Sequence, residues 1–212
     1  MGYAQAQVPG YVGKRMVFSG GVTMAPSILY GFEEDLWGPN IKLNTRAEWV
    51  ASRKFSLSLE PWLLRTKARY ANDQLEAGFA QVGAMGLQLG LRFYHYKRTG
   101  IPSPLGAYHE IGFGYLTYRL KDLDGLYRPG GPKSFGPFPD WNVYYRLGTR
   151  HIINDWLSWE VAAELGTLIS IPHTDFRSQV TPLMLGRARL IRHMALGLHA
   201  GLGVVLGGKS KL

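Results

Sequence analysis

Residues 82–94 read Val-Gly-Ala-Met-Gly-Leu-Gln-Leu-Gly-Leu-Arg-Phe-Tyr. Met85, Leu87, Leu89, Leu91 and Phe93 share one parity. Ala84, Gly86, Gln88, Gly90, Arg92 and Tyr94 share the other. Successive side chains of a strand point to opposite faces, so this stretch has one apolar face and one small or polar face. The same alternation recurs about eight times along the chain, the pattern of a transmembrane β-barrel.

Outward from that stretch, the pattern predicts strand 1 over 15–24, strand 2 over 41–50 and strand 3 over 55–66. Pro61 within strand 3 calls for a bulge or an unpaired position, because proline has no N–H to give to a ladder. Strand 5 is expected over 107–119, strand 6 over 141–150, strand 7 over 157–167 and the last over 194–206. Residues 25–38, 67–80 and 120–140 read as loops, with Pro129-Gly130-Gly131-Pro132 and Gly136-Pro137-Phe138-Pro139 in the clearest of them. Residues 52–54, 97–106 and 154–155 read as turns. Residues 170–192 leave two readings open: a long loop with a short helix at 184–191, or an early start of strand 8. Connections thus alternate long and short, as in outer-membrane barrels with long extracellular loops and short periplasmic turns. Both termini then lie on the periplasmic side. A soluble eight-stranded barrel has its apolar face inside and its polar face in water. Gly86, Gly90, Gly112, Gly114, Gly197, Gly201 and Gly203 on the polar face argue against it, because glycine weakens a solvent-facing strand.

The 212 residues suit one domain, with 1–10 as a flexible N-terminus, 11–206 as the barrel and 207–212 as a tail. Ala4-Gln5-Ala6 fits the small-residue pattern of a signal-peptidase site, so the first residues are expected to be a signal-peptide remnant. Mean hydropathy is −0.10, and no run approaches the roughly 18 apolar residues of a membrane helix. There is no cysteine, which excludes disulfides and thiolate metal sites. The net charge of +9 is scattered rather than clustered, so nucleic acid is not an expected partner.

The turn sequence Ser52-Arg53-Lys54-Phe55-Ser56-Leu57 and the run Ile101-Pro102-Ser103-Pro104-Leu105-Gly106-Ala107-Tyr108 resemble turns of small Bacteroidota-type outer-membrane β-barrels. The start, Ala4-Gln5-Ala6-Gln7-Val8-Pro9-Gly10-Tyr11, resembles mature N-termini of that group. The resemblance implies an eight-stranded barrel in the outer membrane and no defined activity. One departure is the end of the chain, Val204-Val205-Leu206-Gly207-Gly208-Lys209-Ser210-Lys211-Leu212, where such barrels often end in an aromatic residue.

On the barrel reading the inward face carries Arg15, Lys42, Arg46, Arg92, Arg146 and Arg150 against Glu48, Glu60, Glu110, Glu160 and Glu164. Eight strands leave room only for side chains, and enclosed charges must pair. A salt-bridged, plugged lumen is therefore expected, and a wide pore is not. Lys121, Tyr127, Arg128, Lys133, Phe135 and Phe138 are expected to form an extracellular contact loop, with basic groups suited to lipopolysaccharide phosphates or to a larger outer-membrane assembly.

Catalytic chemistry finds little support. No serine stands in a recognisable relation to a histidine and an acid, His173 with Asp175 is too few ligands for a metal, and the glycine strings are strand glycines rather than phosphate loops. No cofactor and no metal are expected. The reading is a non-enzymatic structural or accessory barrel. A narrow channel or a small-ligand or lipopolysaccharide binder is the alternative, and a lipid-modifying barrel enzyme comes after it.

Overall fold

The alternating segments form eight strands in the structure of the protein, a computed structural model. It describes residues 14–25, 41–52, 54–71, 77–95, 104–123, 134–153, 156–169 and 194–207, together with 187, 190 and 191. The strands are β1 (Lys14–Met24), β2 (Ile41–Val50), β3 (Phe55–Ala71), β4 (Ala77–Tyr94), β5 (Gly106–Asp122), β6 (Ser134–Ile152), β7 (Leu157–Ile169) and β8 (Gly197–Gly207). Each pairs antiparallel with its neighbours in sequence, and β1 pairs with β8, so the sheet closes into an eight-stranded barrel. Closure leaves no open edge, which a strand in hydrocarbon cannot tolerate.

The inner and outer faces are inverted relative to a soluble barrel. Outward-facing Leu63, Met85, Leu89, Ile111, Leu198 and Leu202 are about 60 % exposed, whereas inward-facing Glu60, Arg92, Glu110 and Arg146 are wholly buried. Trp49, Phe55, Phe93, Trp156 and Trp159 ring the outer face at the end where 51–54 and 153–156 turn, called here the turn end. Near the other end, the loop end, Trp141 stacks on Phe113 at 4.9 Å and meets Tyr115 edge-on. Aromatic girdles around an apolar band mark a membrane-spanning barrel. From Phe55 to Leu63 the band spans nine residues of β3, roughly 26 Å along the strand at ~3.3 Å per residue.

The predicted loops at 67–80 and 120–140 are corrected. β3 runs on to Ala71 and β4 starts at Ala77, while β5 reaches Asp122 and β6 starts at Ser134. The reason is a change of polarity along the strands. Beyond Leu63, Met85 and Tyr115 the outward residues become Arg65, Lys67, Gln81, Arg119 and Lys121, and the inward ones become Leu64, Val82, Leu116, Tyr118 and Leu120. The strands leave the apolar belt there and continue as a water-facing barrel with an apolar interior. The exposed cations make this stretch look like loop in sequence.

One further correction concerns the start of β8. Met194 and Ala195 are helical, with Arg187, Leu190 and Ile191, and β8 starts only at Gly197. Leu190 and Met194 are buried among Leu64, Val82, Leu116, Phe138 and Leu168, so this helical segment fills the loop half of the lumen. Of the two readings of 170–192, the described residues match the helix. Pro61 matches the unpaired alternative and not the bulge: it aligns with Leu87 of β4, while the β2–β3 ladder skips from Asn44–Trp62 to Ala47–Leu59 without changing register.

The inward glycines make room for large neighbours. A Cβ on Gly112 would overlap the Tyr144 ring, and one on Gly86 would lie 2.6 Å from the Trp62 indole.

The polarity change predicts unequal costs for the same side chain on one strand. Leu89→Arg, mid-band and outward, is expected to cost about 2–4 kcal/mol. Gln81→Arg, beyond the band, is expected to stay within about 0.5 kcal/mol. Reversible denaturant unfolding in lipid vesicles measures both, and equal costs would place the apolar belt elsewhere.

Candidate functional site

The turn half of the lumen is filled by charge. Lys42, Arg46 and Glu48 come from β2, Glu60 from β3, Arg92 from β4 and Glu110 from β5. Arg146 and Arg150 come from β6, and Glu160 and Glu164 from β7. Strand alternation turns each of them inward, and register sets their neighbours. Arg92 sits opposite Glu110, Glu110 opposite Arg146, and Arg146 opposite Glu164, so the sign alternates from β4 to β7 at one level.

Each carboxylate meets two or more cations. The Arg92 guanidinium donates from Nε to Glu110 at 2.9 Å and from Nη1 to Glu160 at 2.9 Å. Arg146 donates to Glu60 at 3.0 Å and bridges to Glu164. Arg150 donates to Glu48 at 2.7 Å and to Glu160 at 2.9 Å. Arg46 joins Glu60 to Glu110, and Lys42 pairs with Glu164. Remaining acceptor positions are taken by hydroxyls. Tyr94 and Ser56 donate to Glu48, each at 2.6 Å. Tyr108 donates to Glu160 at 2.6 Å and Tyr144 to Glu110 at 2.7 Å. The Arg92 guanidinium also lies over the Tyr108 ring, 3.7 Å from its centroid. A buried charge is tolerable under such conditions, paired and with its remaining hydrogen-bonding capacity met.

Arg15 does not join this network. It lies where the β1–β8 register shifts between Lys14 and Met16, at the turn-end rim, and it is exposed. The bulge takes it out of the inward parity, and the network charges become five cations against five carboxylates.

Above the network lies a polar layer. Asn44 Oδ1, Trp62 Nε1, Asn142 Oδ1 and the Gln88 amide are buried without a partner among the described residues. Beyond it comes the apolar cluster with the helical segment. Arg187 of that segment donates from Nε to Asp140 of β6 at 2.9 Å, a bridge between elements far apart in sequence.

The expected contact loop is corrected in part. Phe135 and Phe138 are buried in the apolar cluster, as inward residues of β6. Lys121 is exposed, but on β5 rather than on a loop. Tyr127, Arg128 and Lys133 lie outside the described residues, as do His173, Asp175, residues 1–10 and the tail after 207.

One arrangement has the form of a hydroxyl–imidazole–carboxylate chain. Thr23 Oγ1 lies 3.1 Å from His199 Nδ1, and His199 Nε2 lies 3.7 Å from Glu160. Its geometry does not suit nucleophilic catalysis. Thr23 is only 3 % exposed, and Glu160 is already held by Arg92, Arg150 and Tyr108. No group of three histidine or acidic residues is placed to hold a metal among the described residues.

Parity alone puts Tyr94, Tyr144 and His199 inside. Their partners, and the Asp140–Arg187 bridge, depend on register and on the folding-back of the helical segment, for which the local sequence carries no signal.

No protein-family profile and no curated protein matches the sequence. Solved structures do match in fold. The outer-membrane protein OprG of Pseudomonas aeruginosa is 12 % identical, over 92 % of this chain and 97 % of that one, with a TM-score of 0.52. The attachment invasion locus protein Ail of Yersinia pestis is 9 % identical over 91 % and 98 %, with a TM-score of 0.49. The N-terminal β-barrel domain of Pseudomonas aeruginosa OprF is 7 % identical over 92 % and 99 %, with a TM-score of 0.46. The closed eight-stranded barrel thus has the fold of the outer-membrane protein OprG.

Breaking one arm of the network is expected to cost more than removing the pair. Glu110→Gln leaves Arg92 and Arg46 short of a counter-charge and is expected to cost about 3–5 kcal/mol. A double-mutant cycle with Arg92→Met and Glu110→Met should show a coupling above ~1 kcal/mol. Additive losses in denaturant titrations would mean that the two side chains do not sense one another.

Proposed function

We propose that this chain is a non-enzymatic integral protein of the bacterial outer membrane, with its termini on the periplasmic side, acting as a structural or accessory subunit of an outer-membrane assembly. The carrying observation is the filled lumen: paired charges occupy the turn half and an apolar cluster with a helical segment occupies the loop half. A barrel filled in this way has its walls and its projecting end to offer, rather than a passage. The resemblance of its turns to Bacteroidota-type barrels supports membership of that group.

Two features support the non-enzymatic reading. The Thr23–His199–Glu160 chain is enclosed, and the charged groups of the lumen saturate one another instead of pointing at a cleft. The alternative of a narrow channel needs a water path across both filled layers.

Extraction of cell envelopes in mild detergent, with gel mobility compared before and after boiling, tests the barrel in its membrane. Mass spectrometry of co-migrating proteins tests the accessory role. The expected result is heat-dependent mobility together with stoichiometric companions. Heat-dependent mobility without companions would remove the accessory role, and solubility without detergent would remove the membrane reading.

Planar bilayers containing the purified protein are expected to show no conductance steps above the lipid baseline. Discrete steps that vanish on heating the sample would establish the channel instead.

A further inference from the structure

The outward face of β3 changes within two residues from Leu63 to Arg65, and that of β5 passes from Tyr115 through Thr117 to Arg119. Just past the row of Leu63, Met85 and Thr117, the ladder aligns Arg65 of β3 with Gly83 of β4 and Arg119 of β5. Two residues farther along, it aligns Lys67 with Gln81 and Lys121. Adjacent strands lie ~4.8 Å apart, so the two arginines flank Gly83 across about 10 Å, and the lysine row lies about 7 Å beyond.

Three properties set this array apart. All four cations are exposed, and none has a side-chain hydrogen bond or ion pair among the described residues, whereas every network cation of the lumen is paired. Gly83 is open, since a Cβ built there meets nothing within 4 Å. The array does not continue onto β6: Lys121 pairs there with Ser134, and the outward residues nearer the apolar band, Pro139 and Trp141, are uncharged.

We propose that this array docks the phosphate groups of an anionic lipid in the leaflet at the loop end. Its height decides the class of partner. It begins two residues beyond the apolar band, where lipid headgroups replace hydrocarbon. Arg65 and Arg119 present planar guanidinium forks on either side of Gly83, which suits a phosphate seated between them. Lys67 and Lys121 supply point charges toward the polar end of the headgroup, and the Gln81 amide lies between them. Basic residues next to a membrane surface attract anionic lipid, and at that depth salt screens them less than in open water. The inference rests on the transmembrane reading and not on the accessory role.

The test uses the full chain in detergent, titrated with lipid A as a bisphosphorylated probe and with phosphatidylcholine as a zwitterionic one. Lipid adducts are read by native mass spectrometry. Wild type is expected to retain lipid A at least tenfold better than phosphatidylcholine. Arg65→Gln with Arg119→Gln should lower that retention about tenfold. Gly83→Phe, which leaves the charge unchanged, should lower it similarly by covering the seat. Lys54→Gln removes one charge at the turn end and should stay within twofold of wild type. Heat-dependent mobility of each variant separates loss of binding from loss of the barrel, and Gly83→Phe has open space to fold into if the arginine variant fails. Equal retention of the two lipids by wild type would overturn the proposal. So would folded arginine and Gly83→Phe variants that bind as wild type does, or displacement of lipid A by millimolar inorganic phosphate, which would mark a site for free anions.

Discussion

Neutralisation of charge inside a lumen filled by side chains is the constraint on which this barrel depends. The network encloses five cations and five carboxylates within strands β2 to β7, and Asp122 and Asp140 are buried farther toward the loop end. A single unpaired member in that space would be costly, so strand register must bring opposite signs together. It does: Arg92, Glu110, Arg146 and Glu164 alternate in sign on four successive strands. A slip of one residue on any of these strands would turn its charges toward the hydrocarbon and its leucines toward the lumen. The network therefore helps to specify register as well as to close the interior. Its residues must be large enough to reach across, which is why glycines such as Gly86, Gly90 and Gly112 sit beside Trp62, Glu110 and Tyr144.

The second constraint is the medium, which changes along the barrel axis. In the band from Phe55 to Leu63 the outside is apolar and the inside is polar. Past Leu63 the outside is Arg65 and Lys67 and the inside is Leu64. The same closed sheet is thus a membrane barrel over one part of its length and a water-facing barrel over the rest. The helical segment follows from that switch. An apolar interior opening to water at the loop end has to be covered, and Leu190 and Met194 supply the cover, with Arg187 anchored to Asp140. The exposed cations just outside the belt belong to the same boundary: they stand where lipid phosphate replaces hydrocarbon.

How legible this was in the sequence depends on the residue. Inward placement of Lys42, Arg46, Glu60, Arg92, Glu110, Arg146 and Glu164 follows from parity along each strand, a local property. Arg15 has the same parity but sits at a bulge, and a bulge is a relation between two strands rather than a property of one. Phe135 and Phe138 stand among prolines and glycines and read as loop, yet they are inward residues of β6. Their burial requires β3, β4 and β5 to extend alongside them, which local composition does not report. The 67–80 stretch reads as loop for a related reason. Its exposed cations resemble a loop because the criterion that identifies a membrane strand, apolar on the outside, reverses above the belt.

The sequence by itself determined the number and type of the elements and which side of each strand faces in. Both are encoded in a two-residue period that needs no partner to be read. Only the tertiary structure decided which charge meets which, where the apolar belt ends and what fills the loop half of the lumen. These depend on the relative heights of strands far apart in the chain. Glu164 meets Lys42, and Arg65 aligns with Arg119 across Gly83, because closing the barrel sets those heights all at once.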